Sequence, residues 1–244
     1  MIRTLFVLLS AVVFLIATLP VLLILWIIGK FNPDKSDRAA YHMICFIFRV
    51  IAFFSGAKVT MVGLDRIPKD TAVVYTANHR SIFDVILTYY RLPDMTSFVA
   101  KKELGSIPLF SIWAKHMRCL LFNRDNLKEG AKMILDGIKY LKAGTSVFIC
   151  PEGTRNKNES ELPLLPFHEG SFRLSLKSGV PIIPVSIINT ADILEAHFPR
   201  IKSVPVYIEF GAPIYPSDIP AEYRKKEGEY IRSVMEETIS GHKN

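Results

Sequence analysis

Cysteine is scarce in this chain. Cys45, Cys119 and Cys150 are the only three among 244 residues. The number is odd and the spacing fits no metal module, which excludes a disulfide framework and a zinc ribbon and suits a reducing compartment. The six histidines show no ligand pattern either, so no metal is expected. Internal repeats and low-complexity stretches are missing, which excludes solenoid and disordered architectures. No nucleic-acid motif accompanies the net charge of +7, so nucleic acid is not the expected partner. Anionic headgroups and phosphorylated ligands are, although a solvated basic surface accounts for most of the individual lysines.

Charge is missing altogether from Thr4–Ile28. As a helix this run would be about 38 Å long, against a hydrocarbon core of about 30 Å. It is too long for the apolar region of a signal peptide, and no small-residue cleavage site follows it. The reading is a retained membrane helix with a kink at Pro20; a cleaved signal peptide is the alternative. A second apolar segment, Ala39–Phe54, follows a polar break at Asn32–Asp37. Arg38, His42 and Arg49 fall on one helical stripe of it, within about 40°. A wide apolar face with one basic stripe suits a helix lying at headgroup level. The alternative is a helix packed on the rest of the protein with that stripe in water.

Beyond residue 56, strand-like and helix-like runs alternate. Strands are predicted at Lys58–Val62, Thr71–Ala77, Ser97–Ala100, Leu120–Phe122, Val147–Cys150, Ile182–Ile188 and Val206–Phe210. Helices are predicted at Ile82–Tyr90, Leu109–His116, Lys128–Ala143, Ser171–Lys177 and Glu222–Ile239. This alternation predicts an α/β fold, a mainly parallel sheet covered by helices, behind an N-terminal membrane-embedded helical segment.

The chemistry is concentrated in Asn78-His79-Arg80-Ser81-Ile82-Phe83-Asp84. On one continuous helix His79 and Asp84 would point about 140° apart. They meet only if His79 lies on a loop leaving a strand and Asp84 in the first turn of the next helix, the junction where open α/β sheets place their sites. Histidine suits general-base work because its ordinary pKa is about 6.5, and a carboxylate on its second nitrogen would fix the tautomer. Ser81-Ile82-Phe83-Asp84 also reads as a capping box opening the helix, which places Asp84 in the same turn. Ser81 and Cys150 are the conceivable covalent nucleophiles, but Ser81 reads as the helix cap and Cys150 ends an apolar strand, where a buried thiol is inert.

Together with Phe122-Asn123-Arg124, Pro151-Glu152-Gly153-Thr154-Arg155 and Val180-Pro181-Ile182-Ile183-Pro184-Val185, His-x4-Asp resembles the four blocks of the glycerolipid acyltransferases. The likeness is nearest to the bacterial 1-acylglycerol-3-phosphate acyltransferases. The blocks occur in the family's order over residues 78–185, and a softer likeness runs from about residue 58 to 215.

The resemblance implies a membrane-bound O-acyltransferase that joins a fatty acyl group to the free hydroxyl of lysophosphatidate, giving phosphatidate. His79 would be the base, Asp84 its orienting partner, and the substrate hydroxyl would stand in for a hydrolase serine. It implies no cofactor, with acyl-CoA or acyl carrier protein as the donor. It assigns Arg124, Glu152, Gly153, Thr154 and Arg155 to the phosphate and glycerol of the acceptor. Guanidinium groups bind phosphate in two-point fashion and Gly153 lets backbone amides approach; pairing of Arg124 with Asp125, or of Arg155 with Glu152, is the alternative. Glu152 is open between acid/base, substrate-positioning and loop-anchoring roles.

Four further positions are weaker signals. Arg80 departs from the family's usual smaller uncharged or amide residue, and in Phe167-His168-Glu169-Gly170 the residues His168 and Glu169 depart from the family's commoner lysine-rich form. Lys101-Lys102 matches a family block or forms a solvated basic face. Val180–Val185 is linked by the family to the acyl pocket and reads otherwise as an edge strand.

On this reading residues 1–56 are membrane-anchoring helices and residues 57–244 the catalytic domain, which faces the cytoplasm because the donors are cytosolic. Lys30, Lys35 and Arg38 after the first apolar run agree with that orientation. A shallow hairpin in one leaflet is preferred to a full crossing. Rival functions are an acyltransferase or transacylase for another lysolipid, a thioesterase, and a non-catalytic lipid-binding protein on the same fold.

Overall fold

The computed structural model describes residues 1–123 and 125–242. Arg124, one of the two arginines expected to meet phosphate, lies outside the described residues.

Three helices come first: α1 (Ile2–Ala17), α2 (Leu19–Phe31) and α3 (Pro33–Ser55). The kink expected at Pro20 within Thr4–Ile28 is present as a break, and α1 and α2 diverge by 51°. The cause is Pro20. Its ring has no N–H for the carbonyl of Ile16 and would collide with that carbonyl in a continuous helix. Thr18 marks the break and donates its hydroxyl to Phe14 O at 2.6 Å. The polar break at Asn32–Asp37 is the start of α3 rather than a linker. Asn32 caps it, accepting from Lys35 N, and Pro33 occupies the first turn, where a missing N–H costs nothing. Gly56, in the left-handed conformation, ends it.

By length and composition α3 can cross a membrane, and α1 with α2 pass the same test only as one bent pair. Both apolar segments expected from the sequence therefore meet the length and composition test, one as a bent pair and one as a single helix. The inner face of α3 is occupied by protein: Ile44, Ile47 and Ile51 join the same buried cluster as Phe83, Tyr89 and Phe148. Its basic stripe of Arg38, His42 and Arg49 is exposed. The boundary drawn at residue 56 therefore falls at the end of α3, while α3 itself contributes to the core of the α/β domain.

The sheet has seven strands: β1 (Lys58–Val62), β2 (Val74–Ala77), β3 (Thr96–Lys101), β4 (Leu120–Phe122), β5 (Ser146–Ile149), β6 (Ile182–Ile188) and β7 (Pro205–Phe210). Their order is β1-β7-β6-β2-β5-β3-β4. Every neighbouring pair is parallel except β6 with β7, as expected of a mainly parallel sheet. Val180–Val185 corrects the edge-strand reading, because β6 is central, between β7 and β2.

Alternate side chains serve opposite faces. Tyr75, Phe148 and Ile183 face a cluster shared with α3, α4 (Phe83–Tyr89) and α5 (Phe110–His116). Val74, Val147 and Ile182 face the other, filled by α6 (Leu127–Lys142), α7 (Arg173–Ser178) and α8 (Glu227–Gly241). The last helix starts five residues later than predicted, because Lys225 takes a left-handed backbone (φ 71°) that interrupts any helix through it. Since β6, β2, β5, β3 and β4 all run parallel, the segments leaving their C-terminal ends gather along one edge of the sheet.

Candidate active site

The turn between β2 and α4 is held from several directions. Asn78 is buried, and its side chain donates to Ile187 O and accepts from Ile187 N, both at 2.8 Å. His79 follows, and its Nδ1 lies 2.8 Å from Asp84 Oδ2. That same oxygen accepts from Arg80 N at 2.8 Å and Ser81 N at 2.9 Å, while Oδ1 accepts from Thr190 Oγ1 at 2.5 Å. A carboxylate receiving donors on every side can only accept at His79, so the ring carries its proton on Nδ1 and its lone pair on Nε2. Asp84 is 0% exposed. Its bonds to the backbone of Arg80 and Ser81 are those of a helix cap, so the capping and orienting geometries coexist in one side chain. Helix α4 itself begins at Phe83, whose N–H is met by Ser81 Oγ at 3.0 Å.

The segment after β5 supports this turn from below. Glu152 is buried and bonds inward, accepting from His79 N at 2.7 Å and Leu165 N at 3.0 Å. Burial pushes its carboxyl above the usual range, and the two amides pull it back. The geometry is that of a loop anchor, one of the three roles left open by the sequence. Asn156 N donates to His79 O at 2.7 Å, so the backbone of His79 is held on both sides. Arg80 is turned away from the site. It is 7% exposed and donates to the carbonyls of Ser160 and Asn158, with Glu161 Oε2 3.4 Å from its Nε. Its role here is to hold the 158–161 loop.

A cavity of about 1340 Å³ opens in front of His79. Phe98, Val99, Ile134, Ile138, Phe148 and Ile149 give it apolar walls, and Gly153, Thr154, Arg155 and Lys157 also line it. Gly153 has φ 69°, and a Cβ there would sit 2.8 Å from His168 Nε2. Glycine is thus demanded twice, by backbone conformation and by the packing of His168 over it. Arg155 is half-exposed and pairs with Glu195 at 3.1 Å, not with Glu152. Lys101 lines the cavity but pairs with Glu103, and Lys102 pairs with Glu129. Among the described residues no three His, Cys, Asp or Glu side chains converge as metal ligands.

Sequence reasoning expected His79 and Asp84 to meet, as they do; Gly153, Thr154 and Arg155, assigned through the resemblance to the acceptor's phosphate and glycerol, line the cavity. It missed Thr190 and Glu195. Ser81 Oγ donates to Glu195 Oε2 at 2.5 Å; Ser81 is 0% exposed and does not line the cavity, so it is not an available nucleophile. Both missed residues lie just after β6, past the fourth block, and no local pattern marks them.

The acyltransferase family model matches residues 58–188. The 1-acyl-sn-glycerol-3-phosphate acyltransferase of Escherichia coli (strain K12) is 28% identical, over 93% of this chain and 91% of its own length. The chloroplastic 1-acyl-sn-glycerol-3-phosphate acyltransferase BAT2 of Brassica napus is 32% identical, over 66% of this chain and 46% of its own. The chain thus spans about half the length of that plant relative. In three dimensions it shares the fold of PlsC, the 1-acyl-sn-glycerophosphate (LPA) acyltransferase of Thermotoga maritima, with a TM-score of 0.77 and 22% identity over 98% of this chain and 95% of that one. With more than half of its 244 residues inside the family match, the chain belongs to the acyltransferase family.

Proposed function

We propose that this protein transfers a fatty acyl group from a thioester to the free hydroxyl of 1-acyl-glycerol-3-phosphate, giving phosphatidate. One observation carries the reading. His79, oriented through Nδ1 by a buried carboxylate, faces a largely apolar cavity that Arg155 also lines. Nε2 takes the hydroxyl proton as the oxygen attacks the thioester carbonyl. The tetrahedral adduct then collapses, the C–S bond breaks, and the same proton passes to the departing thiolate. Asp84 stabilises the imidazolium that exists between these steps. Arg155, with Arg124, receives the acceptor's phosphate, and Gly153 and Thr154 offer backbone and hydroxyl groups beside it. Glu152 fixes the backbone of His79. The apolar walls take the acyl chain, and the donor is acyl-CoA or acyl carrier protein. The names of the relatives, all 1-acyl-sn-glycerol-3-phosphate acyltransferases, support this acceptor over other lysolipids.

The bilayer is the proposed partner of α1 and α2. Leu5, Leu9, Val12, Ile16, Leu23 and Trp26 are exposed along them, far more apolar surface than a water-facing helix pair carries. The favoured arrangement is a hairpin in one leaflet, made by this bent pair and by α3, which packs back along both of its helices, with both ends and the catalytic domain on the cytoplasmic side.

Purified protein should convert lysophosphatidate and acyl-CoA, or acyl carrier protein thioester, into phosphatidate by mass spectrometry. Equal turnover of an unphosphorylated lysolipid, or hydrolysis of the thioester without transfer, would refute the reading. For topology, single cysteines at position 3 and near position 240 should both resist an impermeant label in intact cells. Labelling at position 3 would exclude the hairpin, and labelling near 240 the cytoplasmic orientation.

A further inference from the structure

The segment leaving β6 takes no part in the transfer scheme. Asn189 has a left-handed backbone (φ 70°), a conformation asparagine tolerates better than most residues. The turn carries the chain out of the sheet toward the start of α4, and buried Ile193 pins it to the core. Thr190 thereby reaches Asp84. Glu195, five residues on, reaches two parts of the site at once. Its Oε2 accepts from Ser81 Oγ at 2.5 Å, and its Oε1 accepts from Ile82 N at 2.9 Å and from Arg155 Nη1 at 3.1 Å. One carboxylate so ties the turn bearing His79 and Asp84 to the arginine on the β5 loop.

The substrate makes such a tie useful. In 1-acyl-glycerol-3-phosphate the reacting hydroxyl and the phosphate sit on adjacent glycerol carbons, so their separation is short and nearly fixed. An enzyme that grips the phosphate and deprotonates the hydroxyl must hold its two gripping groups at a matching distance. Arg155 is half-exposed, and an unrestrained arginine has many rotamers to lose when ligand binds. Glu195 uses one Nη and leaves the remaining donors of the fork for phosphate. Its Oε1 keeps the Ile82 amide as a second donor, which lowers the repulsion a phosphate would feel from a bare carboxylate.

We propose that Glu195 is a positioning residue that sets Arg155 at the distance from His79 required by a glycerol-3-phosphate acceptor. The proposal rests on the reading that Arg155 receives the phosphate. Four variants test it: Glu195→Gln, Glu195→Ala, Arg155→Ala and the double variant. Glu195→Gln keeps the shape and the contacts to Ser81 and Ile82, so its melting temperature should stay near that of the parent. The KM for lysophosphatidate should rise about two- to tenfold in Glu195→Ala, the cost of ordering one long side chain, and less in Glu195→Gln. The KM for the donor should not move. In the Arg155→Ala background, Glu195→Ala should add nothing to the acceptor KM. Multiplicative effects in the double variant, equal shifts in both KM values, or a fall in kcat alone would overturn the proposal by making Glu195 a cap of α4. No change in acceptor KM on Arg155→Ala would remove the underlying phosphate reading, and this proposal with it.

Discussion

Two segments meet at the cavity, and they are built in opposite ways. The turn after β2 is closed: Asp84 is sealed from solvent and receives four donors, and the backbone of His79 is bonded at both N and O. The loop after β5 is open at its tip: Arg155 is 48% exposed and makes a single ion pair. The difference teaches a division of labour. A proton-transfer geometry has to be right before substrate arrives, so its groups are satisfied by the protein. On the proposed reading Arg155 has to be satisfied by the ligand's phosphate, which accords with the single ion pair the protein gives it.

Breaking the closed segment should have the largest effect. His79→Ala is expected to lower turnover by about 10²–10⁴-fold, the usual contribution of a general base, with folding unchanged by circular dichroism. Near-parental turnover would remove His79 from the mechanism. Asp84→Asn comes next. An amide oxygen can still accept from the two backbone N–H groups and from Nδ1, and Thr190 Oγ1 can reverse its role, so stability should fall by only about 1 kcal/mol. Turnover should nevertheless fall by orders of magnitude, because a neutral amide does not stabilise the imidazolium. A large loss of melting temperature with turnover preserved would make Asp84 a cap and nothing more.

The two arginines sharpen the contrast further. Arg155→Ala should raise the KM for lysophosphatidate roughly 10- to 150-fold, equivalent to about 1.5–3 kcal/mol for hydrogen bonds to a charged group. Arg155→Lys should recover part of that. Arg80→Lys should do the reverse, because a single ammonium cannot reach both the Ser160 and Asn158 carbonyls. It should cost about 1–3 kcal/mol of stability, read by denaturant melting, and leave the acceptor KM alone. If the two variants behave alike, the closed and open segments are not distinct. The smallest effect is expected from Cys150→Ala: unchanged burst and steady-state kinetics, where loss of activity would point to an acyl-enzyme.

That contrast also explains what could be read in the chain. The strands at Lys58–Val62, Leu120–Phe122 and Ile182–Ile188 were legible to the residue because each run is too short for a helix and is bounded by polar or turn residues, which decides between strand and helix. The His79–Asp84 pair was legible because both partners lie within five residues. Thr190 and Glu195 were not, since their contacts span 106 and 114 residues and tertiary approach leaves no local trace. Arg80 and Arg155 carry the same charge in the sequence, and only the fold separates the buried one from the half-exposed one at the cavity. The break at Thr18 was marked by Pro20, while hydropathy said nothing of its angle, because a bent helix and a straight one have the same composition.

Asn78 gives the site a weak point under heat. Its carboxamide imitates a peptide group and adds one false rung to the ladder between β2 and β6, at the place where the main chain leaves the sheet for the catalytic turn. The rung belongs to a side chain, so it does not share the cooperativity of the strand. On warming, the end of β2 should come loose there first. Catalysis then fails at a lower temperature than the fold, and Asn78→Ala widens the gap between those two temperatures.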